Sequence, residues 1–328
     1  MKVAVTGASG HIGNVICRTL LKEGFSVKAM YNSDVRALKD LDVELVKGSV
    51  LDYNTLCALT SDCDVVINCA AVISISGDPT GNVFKTNTEG PELLLRASLQ
   101  QGVKRIIHLS TVHAVTELPY SDPYDETRPY KTKNASVYDH SKARGEQVLL
   151  EGSFGKGIEV VIVRPSCVIG PYDFKPSKMG AALLDFKNGK VPFLPCGGYD
   201  MVDVRDVADT IVRSIALGKD REIYLLSGKY YDFRSFATVI GKVTGQKMPR
   251  IVLPCWALRM ILPLASLYFK VTGMSPSLTG ESIDAIEHGH PSMNNAKATN
   301  ELKHVVRPLE QTLKDFFDWQ SEQLKKKI

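Results

Sequence analysis

A chain of 328 residues is long enough to form one large α/β domain with an appendage, or two domains. Apolar residues make up 44% of it and charged residues 23%, which is ordinary for a globular protein. The formal net charge is only +4 and the only basic block is the lysine run 325–327, so the composition argues against a nucleic-acid-binding surface.

The first predicted element is a short strand that runs into a glycine-rich turn. The chain opens with MKVAVTGASGHIG, and the helical pattern NVICRTLLKEG follows. In a dinucleotide-binding turn, Gly7 permits the sharp bend, Gly10 lets the backbone approach a pyrophosphate, and Gly13 lets the helix pack closely on the sheet. The positive end of the helix then faces the phosphates. Glycine-rich turns are common, but strand, turn and helix in this order predict a dinucleotide site.

Five more apolar, β-branched runs follow, and helical patterns separate them. Runs that are apolar for nearly their whole length are typical of parallel strands buried on both faces. The alternation predicts an α/β fold built on a doubly wound, Rossmann-type parallel sheet. The predicted strands are 25–31, 43–48, 64–71, 104–110 and 159–165, and the predicted helices are 13–23, 52–60, 82–101 and 138–151.

The pattern changes after Pro165, where Gly and Pro become frequent up to residue 198. A helix near 203–217 and a strand within 222–228 follow, before helices and Pro-rich loops complete the chain. We therefore predict two regions that interleave. The dinucleotide-binding domain comprises residues 1–165, with 200–228 returning to it, and a smaller substrate-binding region comprises 166–199 and 229–328.

The seven cysteines are scattered, odd in number and without a C-x-x-C pair. This pattern favours a reducing compartment over a disulfide framework or a zinc site. The chain starts directly on a core strand, which leaves no room for a signal peptide and predicts a cytoplasmic protein. His288 and His290 are close together but lack an accompanying cluster of carboxylates or cysteines, so we expect a loop there and no metal.

The segment 251–273 is apolar for much of its length. Arg259 lies near its middle, and Pro254 and Pro263 interrupt it, whereas a membrane span needs about 20 largely uncharged residues. We therefore expect no stable membrane insertion. A helix that lines a substrate pocket or a dimer contact is the favoured interpretation, and an interfacial helix that helps to collect an apolar substrate is the alternative.

Three polar side chains point to proton chemistry. Tyr138 and Lys142 are about one helical turn apart and share a helix face, where the ammonium favours ionisation of the phenol. Thr111 follows the strand 104–110, and the carboxyl ends of the strands are where a doubly wound sheet places its active site. Surface Tyr/Lys pairs and turn-forming hydroxyls are common individually. Their order after the glycine turn predicts a hydride-transfer site.

Together these motifs resemble the extended short-chain dehydrogenases/reductases over nearly the whole chain. The resemblance implies that Tyr138 is the catalytic acid/base, that Lys142 anchors the nicotinamide ribose and that Thr111 orients the substrate. Asn87, within FKTNTEG, matches the helix asparagine that supports the active site. The other matching segments are the G-x-x-G-x-x-G turn at 7–13, NCAA at 68–71, RPSCVIGP at 164–171 and MVDVRDVA at 201–208.

The second strand ends in Tyr31-Asn32-Ser33, with no acid before Asp34. Because an NAD site usually presents an acid there, and Arg36 lies close enough to serve a 2′-phosphate, NADP is favoured and NAD stays open. The predicted cofactor-binding residues are Gly7, Ser9, Gly10, His11, Ile12, Gly13, Asn32, Arg36, Val50, Ala70, Ala71, Ser110, Tyr138, Lys142, Pro165 and Val168.

Within the family, Val112 and His113 stand where sugar-nucleotide dehydratases carry an acidic pair, which argues against dehydration. The segments ASVYDHSKARGEQ and VRPSCVIGP are more similar to dihydroflavonol reductase-like and 3β-hydroxysteroid dehydrogenase-like proteins. We therefore expect an NAD(P)-dependent oxidoreductase that reduces a ketone or oxidises a secondary alcohol on an apolar small molecule. The alternatives are a nucleoside-diphosphate-sugar epimerase with tightly bound NAD and a catalytically silent cofactor-binding protein. The family resemblance adds a homodimer as a further expectation.

Overall fold

The computed structural model describes residues 1–272 and 279–325, with the side chains of the long helix 255–272 only up to Pro263. The strands are β1 (Lys2–Thr6), β2 (Ser26–Tyr31), β3 (Glu44–Lys47), β4 (Val65–Asn68), β5 (Arg105–Leu109), β6 (Glu159–Pro165), β7 (Cys167–Ile169), β8 (Leu194–Pro195), β9 (Gly198–Asp203), β10 (Ile223–Leu226), β11 (Lys229–Asp232) and β12 (Val252–Leu253).

The helices alternate with the strands for most of the chain, and short 3₁₀ turns lie at 36–38 and 112–114. They are α1 (His11–Lys22), α2 (Tyr53–Thr60), α3 (Asn82–Gln100), α4 (Val137–Ser153), α5 (Lys178–Lys187), α6 (Val204–Leu217), α7 (Phe233–Thr244), α8 (Cys255–Thr272), α9 (Gly280–Glu287), α10 (Ala296–Leu302) and α11 (Leu309–Lys325).

A seven-stranded sheet in the order β10-β6-β5-β4-β1-β2-β3 forms the centre of the molecule. All its neighbouring strands are parallel. This confirms the predicted doubly wound α/β fold. The chain reverses its winding direction between β1 and β4, and a crevice at such a point, beyond the carboxyl ends of the strands, is where this architecture binds ligands.

An apolar layer covers each face of this sheet. Because the strands are buried on both faces, their sequences are nearly continuous apolar runs. On one face, Val5 and Val163 belong to a buried cluster with Ile16 of α1 and Ile211 of α6. On the other face, Val66, Ile106 and Ile162 pack with side chains of α2, α3 and α4 such as Leu56, Leu94 and Leu149. Helix α4, which carries the predicted Tyr/Lys pair, is thereby held against the sheet.

The remaining strands build a smaller region beside the central sheet. Strands β11, β9 and β7 form a three-stranded sheet, and β12 pairs with β8. A third core, which includes Phe186 of α5, Phe236 of α7 and Phe316 of α11, packs around them. None of the described helices is both long and apolar enough to cross a membrane. The part of the predicted apolar segment 251–273 beyond Pro263 has side chains outside the described residues.

One expectation about the cysteines is corrected by the structure. Cys196 and Cys255 form a disulfide with their Cα atoms 5.9 Å apart, whereas the sequence pattern argued against disulfides. The pairing of β8 with β12 explains it, because the Cys196 N–H donates to the Leu253 carbonyl over 2.9 Å and brings the start of α8 alongside. The spacing of the cysteines in the sequence does not indicate that Cys196 and Cys255 pair.

Candidate active site

The glycine turn between β1 and α1 has the geometry of a phosphate cradle. Gly7 has φ +61°, and a Cβ there would lie 2.7 Å from the Ala70 nitrogen. A Cβ on Gly13 would lie 2.2 Å from the Gly7 carbonyl oxygen. No side chain among the described residues caps α1, and its first turn holds no acid, so its N–H groups and positive dipole end fit a pyrophosphate. Ser9 lies in the same turn, and Ile12 lies in the first turn of α1.

The segment after β7 is tied directly to this turn. The His11 ring nitrogen Nε2 lies 3.0 Å from the Pro171 carbonyl oxygen. The Asn14 amide Nδ2 donates to the Gly10 carbonyl over 2.8 Å and to the Tyr172 carbonyl over 3.1 Å. Two segments far apart in the chain are therefore fixed together on either side of the cofactor crevice. Sequence reasoning missed Asn14, because an asparagine inside an amphipathic helix carries no distinguishing signal.

A buried polar chain runs across the carboxyl ends of β1, β4 and β5. The Ala70 N–H donates to Thr6 Oγ1 over 3.1 Å, and the Thr6 hydroxyl donates to Asn68 Oδ1 over 2.6 Å. Asn68 Nδ2 lies 3.0 Å from His108 Nδ1. Burial, followed by the Lys142 charge, holds the pKa of His108 well below its usual range. These hydrogen bonds fix the backbone at Ala70 and so position Ala71 next to it. Both residues are predicted to contact the cofactor.

Asn87 joins three elements at this edge. Its Oδ1 accepts from the Val72 N–H over 2.9 Å, and its Nδ2 donates to the Val72 carbonyl over 3.0 Å and to Ser141 Oγ over 2.9 Å. Helices α3 and α4 approach so closely here that a Cβ on Gly145 would lie 2.5 Å from the Asn87 carbonyl oxygen. Asn87 therefore supports the site by locking α4 to the segment that follows β4.

Tyr138, Thr111 and Lys142 converge at the centre of the crevice. Tyr138 is half-buried, and burial followed by Asp139 raises the pKa of its phenol, although the Thr111 hydroxyl opposes the shift. Lys142 is buried and donates to the Leu109 carbonyl over 2.8 Å. Burial lowers the pKa of Lys142 to about 8, although Glu146 opposes the shift. A phenol and an ammonium group side by side can exchange a proton with a bound ligand.

Comparison with known proteins agrees with this geometry. Residues 3–227 match the model of the NAD-dependent epimerase/dehydratase family. The chain is 31% identical over 257 residues to sterol demethylase protein B of Methylococcus capsulatus, covering 77% of this chain and 78% of that protein. It is 26% identical over 326 residues to a putative dihydroflavonol 4-reductase of Synechocystis, covering 96% and 93%. The crystal structure of gox2253 superposes with a TM-score of 0.85 at 28% identity, covering 98% of each chain.

The chain belongs to the NAD-dependent epimerase/dehydratase family. It is thus a member of the extended short-chain dehydrogenases/reductases, as its motifs predicted. Ligands of this architecture bind beyond the carboxyl ends of the strands, at the edge that here carries Ser110, Thr111 and Pro165. Val168 packs against the same core as Ala8 and Ile12 of the turn. The Ser110 hydroxyl is buried and has no hydrogen-bond partner among the described residues, which suits a group that faces the nicotinamide.

The adenosine end of the family's cofactor site is more open. Asn32 is exposed at the end of β2, and Arg36 follows in an exposed turn. The Arg36 guanidinium pairs with Asp34 over 2.6 Å. Val50 is buried beneath α3, where its side chain would lie 3.1 Å from a Cβ on Gly90. Arg36 therefore lies where the sequence predicts a contact to a 2′-phosphate, but Asp34 already pairs with it.

Gly13→Ala is expected to weaken dinucleotide binding at least tenfold. The new methyl group cannot fit 2.2 Å from the Gly7 oxygen, so α1 must move away from the turn that supplies the phosphate-binding N–H groups. Titration with dinucleotide, followed by protein fluorescence, measures this change. Gly280→Ala is the matched control, because a methyl group added there would meet no atom of a neighbouring element within 4 Å in the described part of the chain. Unchanged affinity in Gly13→Ala would contradict the assignment of the turn.

Proposed function

We propose that this protein is an NAD(P)-dependent oxidoreductase that interconverts a ketone and a secondary alcohol on an apolar small molecule. The observation that carries the proposal is the buried Lys142, one helical turn from Tyr138, whose Nζ donates over 2.8 Å to the carbonyl of Leu109 at the end of β5. Thr111 follows the same strand, and on this proposal the hydroxyl groups of Thr111 and Tyr138 meet one substrate oxygen. The putative dihydroflavonol 4-reductase of Synechocystis, which matches nearly the whole chain, supports a reductase activity.

Each residue of the catalytic set has a separate role. When bound, the nicotinamide supplies or accepts the hydride. Tyr138 donates a proton to the substrate oxygen in the reducing direction and removes it in the oxidising direction. The Thr111 hydroxyl orients that oxygen. Lys142 holds the ribose and, by its positive charge, stabilises the phenolate form of Tyr138.

Elimination of water from a sugar nucleotide is not part of this proposal. Dehydration needs an acid next to the catalytic threonine, and Thr111 is followed by the buried Val112 and by His113. Burial lowers the pKa of His113, so its ring is neutral and a poor proton donor at neutral pH.

The decisive experiment is a redox assay against a panel of apolar ketones and secondary alcohols. The ketones are assayed with NADH and with NADPH, and the alcohols with NAD and with NADP. We expect net cofactor turnover with at least one ring-shaped apolar compound. A sugar-nucleotide panel is assayed in parallel. Interconversion of sugar nucleotides by NAD that stays bound through purification, with no net cofactor consumption, would replace this proposal with an epimerase. Absence of turnover in every panel would indicate a catalytically silent protein.

We further propose that NADP is the preferred cofactor, with Arg36 turning from Asp34 to the 2′-phosphate. Arg36→Ala is then expected to raise the KM for NADPH about tenfold, the effect of losing one charge-assisted hydrogen bond. The KM for NADH should stay unchanged. Lys39→Ala, which removes an exposed cation from the same segment, serves as the control. Equal effects on both cofactors would contradict the NADP assignment.

A further inference from the structure

Residues 170–177 connect β7 to α5, and we call this segment the strap. It begins just after Val168, a predicted cofactor-binding residue that packs against the same buried cluster as Ile12 of α1. The strap therefore starts at the strand edge of the crevice. A dinucleotide that extends from the glycine turn to the carboxyl ends of the strands would lie next to it.

Three side chains of α1 hold the strap. His11, Asn14 and Arg18 are spaced by three and then four residues, so they share one face of the helix. The His11 ring nitrogen Nε2 lies 3.0 Å from the Pro171 carbonyl oxygen, and Asn14 Nδ2 donates to the Tyr172 carbonyl over 3.1 Å. The Arg18 guanidinium lies over the Tyr172 ring, 4.8 Å from its centroid. The strap is therefore tied to the helix whose N–H groups form the proposed phosphate site.

Asn14 links the strap to the glycine turn through a single amide group. Its Nδ2 donates to the Gly10 carbonyl over 2.8 Å as well as to the Tyr172 carbonyl. Gly10 is the residue whose backbone is predicted to approach the pyrophosphate. Asn14 is fully buried, so water cannot replace either hydrogen bond while the strap is in place. A movement of the strap away from α1 therefore costs a hydrogen bond next to the phosphate site.

The path of the strap depends on side-chain contacts. Tyr172 has φ +68°, in the left-handed region that is unfavourable for a residue with a Cβ. Its ring contacts Arg18 of α1 and also Trp319 of α11, with ring centroids 5.9 Å apart. Phe174 adds a second ring against Trp319, with centroids 5.1 Å apart. Contacts to two helices therefore offset the unfavourable backbone conformation.

The two ends of the strap are fixed without α1. At the start, a Cβ on Gly170 would lie 2.8 Å from Val204 Cγ1, so the backbone packs directly on α6. At the end, the Ser177 N–H donates to Asp173 Oδ2 over 2.8 Å, and Ser177 Oγ caps α5 by accepting from the Gly180 N–H over 3.0 Å. The middle of the strap can thus leave α1 while β7 and α5 stay folded.

We propose that the strap retains the bound dinucleotide, and that Asn14 is the positioning residue that couples the strap to the phosphate site. Release of the dinucleotide then requires the contacts of Asn14 and Arg18 with the strap to break, so these contacts slow dissociation. The inference rests on the dinucleotide-binding part of the proposed function and not on the identity of the substrate.

The test measures the dissociation rate constant of NADPH from the full-length protein, by stopped-flow displacement with excess NADP. Asn14→Ala should raise this constant about tenfold, the effect of losing one buried hydrogen bond. Tyr172→Ala removes the ring under Arg18 and should raise it about two- to fivefold. Tyr172→Phe keeps the ring and should dissociate like the wild type. Phe154→Ala is the matched control, because it removes a ring that lies 5.1 Å from the Arg221 guanidinium at the far end of α4.

A second readout follows the strap itself and needs no ligand. The chain has two tryptophans, so Trp319 is the only one left after the change Trp256→Phe, which replaces an exposed residue. Trp319 is 9% exposed and contacts the two rings of the strap. Quenching of its fluorescence by acrylamide should increase in Asn14→Ala, because a loosened strap uncovers the indole.

Faster dissociation together with stronger quenching in Asn14→Ala, and neither in Phe154→Ala, supports the proposal. Faster dissociation with unchanged quenching would show that Asn14 acts on the glycine turn alone, and this would overturn it. Stronger quenching with unchanged dissociation would overturn it as well, because the strap would then not retain the ligand. If the rates change as stated in a protein that turns over no substrate, the proposed oxidoreductase function fails and the role of the strap stands.

Discussion

Tyr138→Phe is expected to abolish turnover while leaving dinucleotide binding nearly intact. The substitution removes only the hydroxyl group, and the ring keeps its half-buried place at the start of α4. General acid–base catalysis contributes about 10²- to 10⁴-fold to a rate, so kcat should fall by at least about a hundredfold. The proposed phosphate site consists of the turn at Gly7 and Gly13 and the N–H groups of α1, which the change does not touch.

Two measurements check this result together: kcat at saturating substrate and the dissociation constant of the dinucleotide. Tyr120→Phe is the matched control, because the Tyr120 ring is 44% exposed and its hydroxyl donates to the Glu287 carbonyl over 3.4 Å. The control should retain wild-type activity. Full activity in Tyr138→Phe would eliminate the phenol as acid/base and with it the proposed reaction.

Arg164→Met has the largest expected effect on stability. Arg164 at the end of β6 is 1% exposed, and its Nη2 lies 2.7 Å from Glu146 Oε2 while Nε donates to Oε1 over 3.0 Å. Tyr130 donates a further hydrogen bond to the same carboxylate over 3.0 Å. Removing the guanidinium leaves a buried carboxylate without its cation, which costs about 3–5 kcal/mol in the free energy of unfolding.

Urea unfolding measures the change, and Arg144→Met provides the comparison. Arg144 pairs with Glu151 over 3.4 Å on the solvent side of α4, the helix that also carries Glu146. Such an exposed pair contributes about 0–1 kcal/mol to the free energy of unfolding. The double change Arg164→Met with Glu146→Leu should recover part of the loss, since no unpaired charge then remains. Equal destabilisation by Arg164→Met and Arg144→Met would show that the buried pair contributes no more than a surface one.

The sheet and the centre of the site were predictable because both depend on local patterns. Continuous apolar runs predict strands buried on both faces, and the carboxyl ends of parallel strands meet at one edge, which brings Gly7 and Thr111 together. The spacing of Tyr138 and Lys142 fixes their common helix face. Asn14 and His108 were not predictable in these roles. Their partners Tyr172 and Asn68 are chosen by tertiary packing, which leaves no periodicity in the sequence.

Strand β10 pairs with β6 in the central sheet but comes much later in the chain, and this order has a consequence for synthesis on the ribosome. Strand β6 pairs with β5 on one side, but its other edge pairs only with Ile223–Leu226. A nascent chain that has completed β6 therefore carries a bare apolar strand edge while α5, α6 and the small sheet are still being made. Such edges recruit foreign strands. The interval in which residues 166–226 are translated is thus the time during which this edge of β6 lacks its native partner.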